Sequence, residues 1–564
     1  VRFISHLLPS VFLLQSVLAF SSEQPQTGQE HISKRIYIVG AGIIGATEAL
    51  YAFKDAEAKG ERISIEMFDK NADMSKTTAA NITPSLTPDE IVSVVPRGQD
   101  LVEKLKIPFN QPGGIKVDDV PGVDNSVAQN FIRAALAYSK DDVGHAERTQ
   151  TLLKMGAMSM AEWDRLYNEA DSELRAIFDK AKFNRCGELK NDAKVLHTGY
   201  RADLIYGVPN AESRAMSMRK DYLNLGFAHT ELLSADEVKK IDPALRDFVD
   251  SHSQLLVDGT RSWNNDATAL YRPGGCINAA IFVPALHNYM KHKMGDRFKL
   301  NFNHKLVGIE IKDNTVAGLL FENGARTTIA KGSEVVLAPG EAVGTIDGLG
   351  LIEPAYAGFA GASLRLVIPL TEAQKEMYRD FDHCMEVHQE GIVLAWQARY
   401  LGGKLDIAVA GTKAFYGNQK PGIDQAFAKN RNLVQINMIN DVLPQFMSIA
   451  LGRNTHGTKI SAEELQSLED KKIARRWVGT RAVAYDGFPT LGAAYTRDGT
   501  RLSNARITTG LGSGGVSFAP AAALISRYAM QSAQGEDALF TKVLEFADSR
   551  RDPEQNQKQL EAGL

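Results

Sequence analysis

Cysteine is scarce: Cys186, Cys276 and Cys384 are the only three in 564 residues, widely separated and without a C-x-x-C pair. That scarcity argues against a disulfide framework and against a cysteine zinc site. A surplus of one charge is also missing. Lys and Arg total 64 against 68 Asp and Glu, so no global basic field draws in nucleic acid. Beyond the N-terminus no apolar run reaches membrane-spanning length. Internal repeats and low-complexity tracts are absent from the region expected to fold. What remains is an ordinary globular composition, 44% hydrophobic and 23% charged. The chain is too long for one hydrophobic core, which predicts two or more domains.

The first residues are different in kind. Arg2 precedes an apolar stretch from Phe3 to Phe20, broken by Pro9 and several polar residues, and a polar segment follows from Ser21 to Glu30. This is the pattern of a secretory signal peptide over residues 1–22, which predicts the secretory pathway or the extracellular space. Ala19-Phe20 also resembles the cleavage junction of plastid presequences, so a plastid or another organelle is the alternative. Pro9 and the polar breaks weaken a spanning helix and leave peripheral contact as the membrane option.

Chemistry begins at Ile36. The run Ile36–Val39 reads as a short buried strand, and Gly40, Gly42 and Gly45 follow as G-x-G-x-x-G before a stretch of helix formers. One glycine allows the tight turn, one lets the backbone approach a pyrophosphate, and one lets helix pack on strand. Ile43 and Ile44 lie between them, at the helix N-terminus that takes up the ligand's negative charge. A second strand, Ile63–Phe68, ends at Asp69, placed to hydrogen-bond a ribose hydroxyl, with Lys70 next to it. Strand, glycines, helix, strand and acid in this order announce a dinucleotide without choosing between FAD and NAD.

The next segment makes the choice. Thr77, Thr78, Ala79, Ala80 and Asn81 form a small-residue stretch after the acidic strand end. Far along the chain stand Trp477-Val478-Gly479-Thr480-Arg481, Asp486-Gly487, Pro489 and Gly492, then a glycine-dense turn, Gly510-Leu511-Gly512-Ser513-Gly514-Gly515-Val516. Together these segments resemble the FAD-dependent D-amino-acid oxidase, glycine oxidase and D-amino-acid dehydrogenase family. The likeness touches most of residues 34–528 but is patchy, and the polar helical stretch between Pro96 and Asp221 has no counterpart in it.

The resemblance implies an α/β protein: a Rossmann-type FAD-binding domain with an inserted antiparallel-sheet α+β substrate domain. It assigns residues 34–95, 265–345 and 470–545 to the FAD-binding domain, and 96–264 and 346–469 to the substrate domain with a helical insertion. Residues 546–564 are left as a charged tail. Noncovalent FAD is implied, with Gly340, at the end of a returning strand, and Gly512–Val516 closing on the flavin; no metal is expected. An amino-acid carboxylate is best held by a guanidinium fork, and Arg481 stands where the family has its carboxylate-binding arginine. Arg399 and Tyr400, on the strand around Ile392–Tyr400, are the further substrate-side candidates, and His388 reads as structural. Ser513 occupies a position where glycine oxidases carry an arginine, a departure that puts simple glycine oxidation in doubt. The implied reaction oxidises a small amino acid, preferably of D configuration, to an imine and then a keto acid plus ammonia. Oxygen or a quinone accepts the electrons. The alternatives are a glycine- or sarcosine-type secondary-amine oxidase and a flavin-binding protein without turnover.

Overall fold

The computed structural model describes residues 32–81, 85–87, 126–138, 142–181, 200–225, 230–340, 346–350, 356–379, 381–389, 392–415, 423–530 and 538–548, with single positions 103, 106, 183, 227 and 343. The signal-peptide region and most of the charged tail lie outside these residues. Among the described residues no helix is long and apolar enough to cross a membrane.

A six-stranded sheet forms the first layer. Its order is Phe298–Asn301, Ile63–Phe68, Lys34–Val39, Glu334–Leu337, Arg501–Thr509 and Thr490–Tyr495, parallel except for the last strand. After the exposed Lys34 and Arg35, the strand from Ile36 to Val39 is apolar on both faces because both are covered. Ile36 and Ile38 pack beneath the helices Ile43–Lys59 and Ala279–Met294. Tyr37 and Val39 instead meet a three-stranded antiparallel sheet, Leu306–Lys312, Thr315–Phe321 and Arg326–Thr328. The turn at Asn323-Gly324 that closes its second hairpin needs a positive φ, and Gly324 supplies it at 82°.

An eight-stranded sheet forms the second unit. It runs Ala474–Ala484, Tyr356–Pro369, Lys404–Phe415, Ile392–Leu401, Asp382–Gln389, Tyr200–Tyr206, Ala267–Pro273 and Glu231–Leu233. One face carries Leu364, Leu366, Trp396, Ala398 and Ile407 into a core shared with the helical layer that includes Ile436, Phe446 and Leu465. The alternate residues face the first unit, where Arg475 donates to Asn81 Oδ1 at 2.9 Å and Ser85 Oγ donates to Glu386 Oε1 at 3.1 Å.

This arrangement corrects three expectations. Strands Ala267–Pro273 and Ala474–Ala484, expected in the cofactor domain, are members of the eight-stranded sheet. The helices Asp142–Asn168 and Ser172–Lys180, expected with the substrate domain, pack against the six-stranded unit. Their apolar stripe matches that unit's helix: the Trp163 ring lies 5.7 Å from Phe282, and its Nε1 donates to Val516 O at 3.2 Å. Cys276 and Cys384 are joined by a disulfide between residues 108 apart, with Cα atoms 6.4 Å apart. Spacing along the chain could not show that folding brings these two strands together.

A buried ionic network ties the first unit's far strands to its first helix. Arg506 Nη2 donates to Glu48 Oε2 at 2.8 Å and also reaches Glu334, while Ser526 and Thr508 donate to Glu48 Oε1. Glu48 is fully buried and Arg506 nearly so. Removing one partner leaves an uncompensated buried charge, so Glu48→Ala is expected to cost about 3–5 kcal/mol. Urea unfolding measures it; a loss below about 1 kcal/mol would show that the network contributes little.

Candidate active site

A groove of about 1160 Å3, counting its open side, runs over the C-terminal ends of the parallel strands. It starts at the Val39–Gly45 turn. Gly40 there has φ +98°, and the Ala338 backbone packs where a side chain would be, so only glycine fits. Gly42 is the N-cap of the helix Ile43–Lys59, and no side chain caps that helix end. A Cβ built on Gly42 meets nothing within 4 Å. An uncapped helix N-terminus under a bare backbone is a site for an anion such as a pyrophosphate.

Asp69 lies on the groove wall and is held in place. Its Oδ2 accepts from Ala41 N at 2.9 Å, and its Oδ1 accepts from Asn71 N at 2.9 Å. Oδ1 also accepts from Asn71 Nδ2 at 2.8 Å, so it is Oδ2 that keeps a second lone pair for a ligand hydroxyl. Thr77, Thr78 and Ala79 follow along the wall, then Gly340, Gly512, Ser513 and Gly515, and Ile43, Ile44, Gly45 and Lys70 also line it. His304, Lys305, Ala338 and Pro339 also line the groove. Ala338 and Pro339 belong to the returning strand end before Gly340, whereas no motif in the sequence pointed to His304 and Lys305, whose position only the sheet order fixes. The donors and the space present suit a dinucleotide.

Four expected cofactor residues sit elsewhere. Ala80 and Asn81 wall a separate cavity. The Asn81 amide donates to Ser75 O and Thr77 O, fixing the turn. Val516 is buried in the core beneath the turn, and neither it nor Gly514 is a groove-lining residue.

Arg481, half-buried, also lines the groove, from the edge strand of the eight-stranded sheet, with Phe359 as its cross-strand partner. The other two substrate-side candidates are corrected. Tyr400 follows the parity of Trp396 and Ala398 and packs on the helical layer, so it faces away from the groove. Arg399 has the right parity but the wrong place. It is buried and bonded to Asp406 at 3.0 Å. Val367, level with Asp406, is eight residues from Phe359, level with Arg481. At roughly 3.3 Å per residue that is about 26 Å along the sheet, beyond the reach of one small substrate. Burial pushes the Asp406 carboxyl up, but hydrogen bonds and charge from Arg365 and Arg399 outweigh it and hold the group below the usual carboxylate range. Arg399 therefore has a structural partner.

One buried cluster was invisible in the sequence. Asp203, Glu386 and His388 place ligand atoms within 4.8 Å of one another, a spacing that suits a cation. Arg272 already serves that purpose, pairing with Asp203 and, at 2.7 Å, with Glu386. His388 Nε2 lies 3.5 Å from Glu386 Oε2, in keeping with a structural histidine.

Comparison with known proteins adds the context. The family model described as DAO, "FAD dependent oxidoreductase", matches residues 35–528. No curated protein sequence matches the chain. Among solved structures, the fold is similar to a glycine oxidase from Bacillus cereus, with 13% identity, a TM-score of 0.51 and coverage of 90% of this chain and 97% of that one. It is also similar to a thermally stable mutant of fructosyl peptide oxidase, with 13% identity, a TM-score of 0.53 and coverage of 93% and 94%. A fructosyl peptide oxidase from E. terrenum gives 13% identity and a TM-score of 0.51, covering 92% of each chain.

Proposed function

The chain belongs to the DAO family of FAD-dependent oxidoreductases, and from that premise we propose that it oxidises a free amino acid at the carbon bearing the amine, with preference for the D configuration. FAD, when bound, accepts the hydride from that carbon, as flavins do for amine donors. The chain supplies position. Arg481, facing the same groove as the pyrophosphate turn, carries this reading. A guanidinium fork fixes a carboxylate by two parallel hydrogen bonds, which leaves the α-carbon and its amine a defined distance from the anchor. Loss of hydride and of the amine proton gives an imine. Water hydrolyses it to a keto acid and ammonia, and oxygen or a quinone takes the electrons.

Neighbouring structures named glycine oxidase and fructosyl peptide oxidase support an amine donor in general. The later turn carries Ser513 and no charge, and Arg481 is the only arginine among the described residues that line the groove. The test is anaerobic mixing of the FAD-loaded protein with D- and L-amino acids, glycine and N-methylglycine. Flavin absorbance is expected to bleach with one or more D-amino acids. Bleaching by L-amino acids alone would overturn the stereochemistry, and bleaching by N-methylglycine alone would favour a secondary-amine oxidase.

A further inference from the structure

Gly361 and Gly479 are cross-strand partners in the outermost strand pair of the eight-stranded sheet, two residues along from the Phe359–Arg481 pair. Both are buried, and neither has a positive φ. Any residue could adopt their backbone, so the missing side chains need another reason. Glycine within a strand weakens it and marks close approach by something else.

Here each glycine carries a neighbour's side chain. A Cβ built on Gly361 would fall 2.6 Å from Cζ and 2.7 Å from Nη1 of Arg481. One built on Gly479 would fall 2.5 Å from Cζ2 of the Trp477 indole. Both distances are far inside van der Waals contact at about 3.5–4.0 Å. Directly opposed strand residues are only about 4.5–5.5 Å apart at Cα. The guanidinium and the indole therefore lie side by side on a floor two glycines wide. Trp477 is half-buried, and it also walls a small, separate pocket with Asn81, Ser363, Arg365 and Arg475.

We propose that Gly361 is a positioning residue for Arg481 and that Trp477 determines specificity: with the carboxylate on the guanidinium, an apolar or aromatic substrate side chain lies against the indole. The enzyme then prefers amino acids with bulky apolar or aromatic side chains to glycine-sized ones. This rests on Arg481 as the carboxylate anchor.

Two carboxylates that lack an amine, acetate and 3-phenylpropanoate, test it by titration of the FAD-loaded protein followed by flavin absorbance. Phenylpropanoate is expected to bind about tenfold more tightly than acetate, in line with an aromatic contact. Trp477→Ala should erase that difference, and Trp477→Phe should restore most of it. Gly361→Ala should weaken both probes about equally and raise KM more than it changes kcat, with FAD content as in the wild type. Equal affinity of the wild type for the two probes overturns the role of Trp477. Undiminished binding of both by Gly361→Ala overturns the positioning. If Arg481→Ala still binds acetate as the wild type does, the anchor itself fails, whatever the indole does.

Discussion

Replacing Arg481 with alanine is expected to lower kcat/KM for the best amino-acid substrate by about thirty- to several-thousand-fold, at unchanged FAD content. The magnitude follows from truncating one side of a desolvated charge pair, which costs roughly 2–5 kcal/mol because the other charge is left without its partner. Arg481 is half-buried in the groove wall, so water screens it only in part. Most of the loss should appear in KM, since a carboxylate is held equally in the ground state and the transition state. Arg481→Lys keeps the charge but loses the fork, and should recover only part of the affinity. Steady-state kinetics alongside the flavin spectrum decides the matter. If FAD leaves together with activity, Arg481 holds the cofactor and not the substrate.

That Arg481 lines the groove could be expected from sequence because its neighbours, Asp486-Gly487 and Pro489, form a local pattern in the same strand-and-turn segment. The Gly40–Gly45 turn and Asp69 were legible for a similar reason: their chemistry is set within a few dozen residues of strand, turn and helix. Arg399 and Tyr400 show where that logic stops. Adjacent strand residues point to opposite faces, and which face meets the groove depends on a helical layer drawn from residues 235–251 and 423–470. Even the correct face was not enough for Arg399, since register across three strand pairings sets it far from Arg481. The Cys276–Cys384 bridge and the Asp203–Arg272–Glu386 cluster depend on contacts across long stretches of chain, for which the sequence carries no period or spacing. Gly361 belongs to no motif, and the motif that contains Gly479 does not say that neighbouring side chains lie over both glycines.

The same reasoning about space separates two glycines of the cofactor turn by experiment. Gly42→Glu is expected to give a folded but colourless protein. A Cβ at Gly42 meets nothing within 4 Å, and its backbone, with φ −70° and ψ −169°, is open to any residue. A glutamate there places its carboxylate in the groove, on the helix end that would otherwise hold the pyrophosphate. An acid at a helix N-terminus costs the fold nothing and adds about 0.3–1 kcal/mol. Facing a pyrophosphate, the same charge costs several kcal/mol, enough to lower FAD affinity by a factor of about 10² or more. Gly45→Ala should behave the other way round. Its Cβ would fall against the Gly40 carbonyl, 3.0 Å from that carbon and 3.2 Å from Ile38 Cγ2. The strain lies between helix and strand, so it should destabilise the apoprotein by about 1–3 kcal/mol. Flavin-to-protein absorbance ratio and the thermal midpoint of the apoprotein read the two effects separately. A yellow Gly42→Glu protein would mean that the pyrophosphate does not lie on this helix end, and the site would then have to be rebuilt from the Asp69 wall outward.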